Sequence, residues 1–316
     1  ANIIDGEKRL SKLNSSEDYI SWSRGLKNKF IKSEKITMNK EAIMLTQAKP
    51  FTKKYVYYDR SLVEMPGKFD KLLEPNGLLL YTPGPGGSKT FSALIARGPV
   101  NLQGFGFASK TQTYPFKIKS TGFISKNNYN LTSNSKNYFK LGDEELIYYV
   151  YAVLNSNEYK SKYEDELYKT IPRIPLLKYK EKYVEIGRKL ADIHLNYEDQ
   201  PRWEGVEVEI DENNYHVTKM KHPKKGVLDT IIYNESITIK NIPEKAYEYV
   251  VNGRPAIDWI INQYQVKTDE KSGITDDPNE FSNNPKYILN LLLSVITVSM
   301  RTLELIDELP PFEVTE

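Results

Sequence analysis

From Ala42 to Phe139 the apolar and aromatic residues come in short runs, "KYVYYD", "GLLLY", "GFGFAS", "PFKIKS" and "TGFIS", separated by Gly, Pro, Asn and Ser. Runs of this length between turn formers predict strands joined by loops. Ahead of them, Ser15 or Ser16 is expected to cap a helix over "EDYISWSRGLKNKFIKS", with Ile20, Trp22, Leu26 and Phe30 on its inner side. Past Gly142 the period changes to that of a helix. Asp143 is expected to cap "EELIYYVYAVLNS", and the helical pattern continues through "EYKSKYEDELYKTI" and "YKEKYVEIGRKLADIHLNY", broken at Pro172 and Pro175. The alternating runs "GVEVEI", "NYHVTKMKH" and "DTIIYNESITI" then predict antiparallel strands, with Lys224, Lys225 and Gly226 at the tip of the second connection. From Pro243 helices return in "EKAYEYVVN" and "AIDWIINQYQV". A polar loop leads to the apolar segment Tyr287 to Ile306, with Pro285 expected as the first residue of its helix. Ser294, Thr297, Ser299, Arg301 and Glu304 interrupt that segment, which predicts a helix buried in protein rather than in lipid.

The pattern predicts an α+β protein in three spans: residues 1–142, a strand-rich lobe with largely antiparallel sheet; residues 143–242, helices with inserted antiparallel strands; and residues 243–316, a helical C-terminal segment. A chain of 316 residues is long enough to bury a substantial core. The absence of cysteine excludes disulfides, zinc–thiolate sites and a thiol nucleophile, and points to a reducing cytoplasm. The first residues, "ANIIDGEKRL", hold charges and no apolar core of a signal peptide, so none is expected.

Net charge is +2, but the average conceals a division. Residues 1–140 carry 23 basic against 10 acidic residues, leaving 21 against 32 for the remainder. No Asp or Glu occurs between Pro75 and Gly142, a stretch that holds Lys89, Arg97, Lys110, Lys117, Lys119, Lys126, Lys136 and Lys140. Such an asymmetry points to nucleic acid or another anionic surface, because each lysine that neutralises a phosphate releases counterions. A solvated basic face without a ligand is the alternative.

Motifs of catalysis are missing. "TPGPGGSKT" (Thr82 to Thr90) has the composition of a phosphate-binding loop, yet Ser88 stands where the glycine before the lysine belongs and Pro83 where the first glycine belongs. A Gly/Pro loop carrying Lys89 and several exposed amides is the expectation. His194 lies on a predicted helix without a carboxylate at metal-binding spacing, while His216 and His222 flank a basic strand end. Asn284-Pro-Lys-Tyr287 comes near the motif that holds a flipped adenine in amino-methyltransferases, but Lys286 replaces its second proline and no Gly-rich cofactor strand precedes it.

The run "YAVLNSNEY" (Tyr151 to Tyr159), then "IPRIPL", "GRKLADIHLNYE", "KMKH", "IIYNESITIKNIPEKAYEYVVNGRPAIDWIINQYQVKTDEKSGITDDPNEF" and "PKYILNLLLSVITVS" closely resembles the C-terminal target-recognition region of type ISP restriction-modification enzymes. Those are single-chain bacterial proteins that join a nuclease, a helicase-like ATPase, an adenine-N6 methyltransferase and a DNA-recognition domain. In the N-terminal half the likeness is looser: "AKPFTKKYVYYD", "TPGPGGSKTFSALIA" and "QTYPF" resemble segments of the same region. The nuclease, ATPase and methyltransferase motifs are absent.

The resemblance implies sequence-specific binding of double-stranded DNA by a non-enzymatic chain, a C-terminal fragment or separate specificity part. Its partners would be the methyltransferase and helicase-nuclease domains of the parent enzyme. ATP, Mg and S-adenosylmethionine would belong to those domains, with no cofactor here. Lysines and arginines would hold phosphates while amides read base edges. The candidate contacts are Lys89, Arg97, Lys110, Gln112, Lys117, Lys119, Lys126, Asn127, Asn128, Lys136, Lys219, Lys221, Lys224 and Lys225. The rival expectation is a protein-interaction module whose basic face is incidental.

Overall fold

The computed structural model describes residues 8, 10–13, 22–64, 76–87, 90–106, 110–119 and 129–315. Helix α1 (Arg24–Ile31) is capped by Ser23, whose hydroxyl accepts from the Leu26 amide at 3.2 Å. The expected caps Ser15 and Ser16 lie outside the described residues. An antiparallel hairpin of β1 (Ile43–Lys49) and β2 (Thr52–Tyr57) follows. Strands β3 (Leu78–Pro83), β4 (Leu94–Arg97) and β5 (Thr111–Pro115) then form an antiparallel sheet in the order β4-β3-β5.

"GLLLY" is continuously apolar because both faces of β3 are covered. Leu79 and Tyr81, paired with Ala96 and Leu94, pack into one core, while Leu80 and its partner Ile95 pack into a second. The sheet is therefore the partition between two cores. The first core joins Phe51 to Phe105 with Tyr197 to Leu303; the second joins Leu80 to Phe139 with Leu146 to Ala191, Leu305 and Ile306. Each core thus draws residues from all three spans of the chain.

On the second core lie α2 (Ser133–Phe139), α3 (Asp143–Asn155), α4 (Asn157–Lys162), α5 (Glu164–Lys169) and α6 (Lys180–Leu195). Helix α2 forms in a polar stretch that the sequence pattern assigns to strands joined by loops, because the Thr132 hydroxyl caps it by accepting from the Ser135 amide. Gly142, not Asp143, is the cap of α3, and its amide donates to the Glu145 carboxylate at 2.8 Å. Buried tyrosines fasten the irregular "IPRIPLL" segment and the C-terminal stretch at Pro310 to these helices. Tyr149 donates to the Pro175 carbonyl, Tyr159 to the Arg173 carbonyl and Tyr183 to the Pro310 carbonyl, so each ring adds apolar area and each hydroxyl satisfies a backbone group off the helices. Helices α3 and α6 touch at Gly187, where an added Cβ would sit 1.9 Å from the Tyr148 carbonyl oxygen.

The remaining strands β6 (Glu207–Ile210), β7 (Ile231–Ile232) and β8 (Ile237–Lys240) pair antiparallel in the order β6-β8-β7. "NYHVTKMKH" is not a strand. Val217 and Met220 are buried in the first core, while the backbone of Val217 is satisfied at both ends by the Asn279 amide, leaving one isolated bridge from Lys221 to Ile232. "EKAYEYVVN" is also not a helix beyond a short 3-10 turn (Glu244–Glu248), because Asn252 and Gly253 at positive φ reverse the chain between β9 (Val250–Val251) and β10 (Arg254–Pro255). In "GFGFAS" the expected strand is a turn as far as Gly106, and residues 107–109 lie outside the described residues, as does "TGFIS".

Helix α7 (Ala256–Gln263), the small hairpin of β11 (Lys267–Thr268) and β12 (Thr275–Asp276), and α8 (Tyr287–Asp307) complete the fold. Pro285 precedes the α8 cap Lys286 rather than opening the helix. By length and composition α8 is apolar enough to cross a membrane, yet two thirds of its most apolar window is buried inside the protein. The result is an α+β protein with antiparallel sheets and a helical C-terminus.

His194 ties three helices together. Its Nδ1 lies 2.5 Å from the Tyr151 hydroxyl oxygen, and its Nε2 lies 2.8 Å from that of Thr302 on α8. Burial lowers its pKa from 6.5 to about 3, so it stays neutral in the folded chain down to that pH. Between those values the unfolded chain takes up a proton that the folded chain refuses. Stability therefore falls on acidification, by at most about 1.4 kcal/mol per pH unit from this group. Urea unfolding at a series of pH values should show a His194→Gln variant with a shallower acid slope, by about one proton; equal slopes would remove His194 from the acid response.

Candidate nucleic-acid interface

The sequence-predicted contacts other than Lys136 fall into three groups. Lys89, Lys126, Asn127 and Asn128 lie outside the described residues. A second group surrounds the three-stranded sheet. Arg97 ends β4 and is exposed, Lys110 is exposed just before β5, and Lys117 is exposed just after it. The Lys117 ammonium lies 4.6 Å from the centre of the Tyr129 ring, and Lys119 beyond it is half-buried. Desolvation, with the hydrogen bond to Glu144, raises the Tyr129 phenol to about 12, so it remains a neutral donor beside that cation.

Gln112 is exposed on β5. Its register partner is Thr82, which places it on the same face as Leu80 and Tyr114, where that face emerges into solvent. Its amide has no hydrogen-bond partner among the described residues and is free to meet a ligand edge.

The third group lies on the segment that alternates without being a strand. Val217 and Met220 anchor it in the core, and Lys219, Lys221, Lys224 and Lys225 are all exposed, the last two beside the turn at Gly226. The anchors explain why the lysines project. Asn279 holds the Val217 backbone, and Lys54 pairs with the nearby Asp276 while Tyr55 packs on Phe281, so this segment, the β12 region and the β1–β2 hairpin are joined.

Ion pairing separates candidate contacts from structural cations. Arg97, Lys110, Lys219, Lys221, Lys224 and Lys225 form no ion pair among the described residues. By contrast, Lys53, Lys178, Lys182, Lys189, Lys240, Lys245 and Arg301 are all committed to carboxylates. Lys136 belongs with the latter: it lies 2.9 Å from Asp143, just past the end of the acid-free stretch. Lys27, Lys32, Lys35 and Lys40 are exposed and also outside any ion pair among the described residues. Sequence reasoning passed over them because Glu34 and Glu41 interrupt the charge run, and the signal that marks them is the basic excess of the whole first 140 residues.

Two motifs are settled by geometry. In the glycine loop the Gly84 amide donates to the Lys110 carbonyl at 2.6 Å and the Gly86 amide to the Tyr168 carbonyl at 2.7 Å. Those amides hold the loop down and are not free for phosphate, contrary to the expectation of exposed donors. Gly84 is required there, since a Cβ would come within 2.8 Å of the Lys110 oxygen. Tyr287 donates to the Glu198 carboxylate at 2.7 Å and packs on Phe281 and Tyr264, so it cannot stack on a flipped base. Among the described residues no group of three or more His, Asp or Glu is placed to hold a metal ion.

Two of the solved structures with this architecture are Type ISP restriction-modification enzymes. The chain is similar to the ATP-dependent Type ISP restriction-modification enzyme LlaBIII bound to DNA, at 51% identity over 99% of this chain and a TM-score of 0.90. It is similar to a nuclease-deletion mutant of the Type ISP restriction-modification enzyme LlaGI in complex with a DNA substrate mimic, also at 51% identity over 99% of this chain, with a TM-score of 0.86. The fold alone is shared with the DrdV–DNA complex, at 20% identity over 99% of this chain and a TM-score of 0.84. This chain spans 21%, 26% and 33% of those three chains. No curated protein matches it. The profile of the Type ISP C-terminal specificity domain matches residues 3–291, and the chain belongs to that family.

Proposed function

We propose that this chain recognises a specific duplex DNA sequence as the target-recognition domain of a Type ISP restriction-modification enzyme. The observation that carries this reading is the 51% identity, over 99% of the chain, to two Type ISP enzymes described in complex with DNA or a DNA mimic. The cations outside ion pairs among the described residues, Arg97, Lys110, Lys219, Lys221, Lys224 and Lys225, supply the physics. In this reading Arg97, Lys110 and Lys117 at the sheet hold phosphates, Lys219, Lys221, Lys224 and Lys225 extend the contact, and Lys89, Lys119 and Lys126 are further phosphate contacts. Lys136, paired to Asp143, contributes least. Gln112 reads a base edge in the major groove, with Asn127 and Asn128 as further readers, since a side-chain amide matches the N6/N7 edge of adenine.

The chain is the non-catalytic part in this reading. Cleavage and adenine-N6 methylation belong to the nuclease, helicase-like and methyltransferase domains of the longer enzyme, together with ATP, Mg and S-adenosylmethionine. Residues 1–142 and 143–242 form the reading unit and residues 243–316 brace it. The setting is the bacterial cytoplasm, where the DNA is.

Selection of bound duplexes from a random pool by the isolated chain tests the reading: one enriched motif is expected, and an unenriched pool would overturn it. With the motif in hand, Gln112→Ala should relax preference at one base position. The loss of discrimination is about 1–3 kcal/mol, the value of one bidentate amide–adenine pair. The Lys224→Ala, Lys225→Ala double variant should instead weaken all duplexes alike.

A further inference from the structure

Leu102, in the connection from β4 to β5, is 62% exposed. Among the described residues from 76 to 141 it is the one exposed large aliphatic side chain. A leucine left in water on a loop is ordinary in itself. This one is held there by a turn fastened on both sides. The Asn101 amide donates to the Gln47 carbonyl of β1 at 3.0 Å, and the Thr111 amide of β5 donates to the Leu102 carbonyl at 2.7 Å. The Gly104 amide is shared between the Asn101 carbonyl at 2.9 Å and the Thr111 hydroxyl at 3.1 Å. Phe105, 3% exposed, then anchors the chain in the first core against Tyr81. The backbone of Leu102 is thus fixed on the start of β5 while its side chain stands in water, and an apolar contact made from a preformed position loses little conformational freedom on binding.

The neighbours say what would cover it. The Thr111 amide that Leu102 accepts from lies between Lys110 and Gln112, both exposed. Lys110 is outside any ion pair among the described residues, and Gln112 is the reader of an adenine edge in the reading above. A protein partner is ordinarily met by a contiguous apolar patch, whereas this stretch offers one leucine among a cation and an amide. Duplex DNA presents a matching set. Phosphates meet the cation, an adenine edge meets the amide, and the one apolar group beside those edges in the major groove is the thymine C5-methyl.

We propose that Leu102 is a specificity-determining residue that contacts a thymine C5-methyl in, or next to, the base pair read by Gln112. The inference rests on the DNA-reading function proposed above and names a second reader for that site. Gln112 supplies hydrogen bonds and Leu102 the apolar contact, so the two side chains together distinguish an A·T pair by both of its major-groove features.

Selection from a random pool by the intact chain first gives the motif. Each thymine in it is then replaced by deoxyuridine, which keeps every hydrogen-bonding group and removes only the C5-methyl. Fluorescence anisotropy should find one position, in or next to the pair whose preference is lost in Gln112→Ala, where the replacement weakens binding about fourfold, the value of one buried methyl group. Leu102→Ala should bind the thymine and deoxyuridine duplexes equally at that position, while Leu102→Met should still prefer thymine. Equal affinity of the unchanged chain for every deoxyuridine duplex would overturn the proposal without recourse to any variant. So would a thymine preference that survives in Leu102→Ala, or a motif that contains no A·T pair. In each of those three cases the enriched motif leaves the DNA reading standing, whereas an unenriched pool would defeat both.

Discussion

The affinity of this chain for duplex DNA is expected to fall by several hundred-fold between about 50 and 200 mM salt, for contacts to on the order of five phosphates and a log–log slope near −4.5. The reason is structural as well as compositional. A lysine already paired with a carboxylate releases few counterions when it meets a phosphate, whereas Arg97, Lys110, Lys219, Lys221, Lys224 and Lys225 carry no such partner among the described residues. Fluorescence anisotropy with a labelled duplex, titrated at several salt concentrations, measures the slope. Neutralising one phosphate-binding lysine should reduce its magnitude by about one, and Lys136→Ala should change it least because Asp143 already occupies that charge. A flat salt response would sink the DNA reading and favour a protein-interaction surface with an incidental basic face.

Gly187→Ala should destabilise the fold by about 3 kcal/mol or more, among the largest effects of any single substitution here. Judged by helix propensity alone the change would stabilise, since glycine inside a helix costs roughly 1 kcal/mol relative to alanine. Packing reverses the sign. The new Cβ would sit 1.9 Å from the Tyr148 carbonyl oxygen and 2.7 Å from its carbon, and only 3.2 Å from the Ala152 methyl. Those first two atoms are backbone in the middle of α3, so no rotamer change relieves the clash. Helix α6 has to move away from α3, opening the contacts of Tyr149, Tyr183, Ile186 and Leu190 in the second core. Urea unfolding of the variant and the parent gives the difference directly; a variant of equal or greater stability would show that the two helices slide apart without cost.

Much of the architecture was legible in residue order. The period of 3.6 residues marked α3, α6 and α8, and the short aromatic runs marked β2 and β3. The failures share a cause. "NYHVTKMKH" has the alternation of a strand, but alternation records only which side chains are buried; Asn279, sixty residues on, supplies the hydrogen bonds that a neighbouring strand would have given. In "EKAYEYVVN" the positive φ of Asn252 and Gly253 cut short a pattern that composition read as helix. Helix α2 was hidden because its cap, Thr132, lies within a run of polar residues that look alike until one hydroxyl finds an amide.

The site divides in the same way. The acid-free stretch from Pro75 to Gly142 is a property of the sequence, as are the missing catalytic motifs and the absent cysteines, because each depends only on which residues occur. Which lysines are available is not, because an ion pair depends on what folding places within about 4 Å. Lys136 is matched by Asp143 across the start of a helix, while Lys219 is left exposed by the burial of Val217 and Met220 on either side. Likewise the glycines of "TPGPGGSKT" were visible as glycines, and only the fold gave their amides to the carbonyls of Lys110 and Tyr168. Composition and period are set by covalent order and survive in the unfolded chain. Hydrogen-bond partners such as Asn279 for Val217 and Lys110 for Gly84 come from segments apart in sequence, and they exist only once the chain has folded around the two cores on either side of β3.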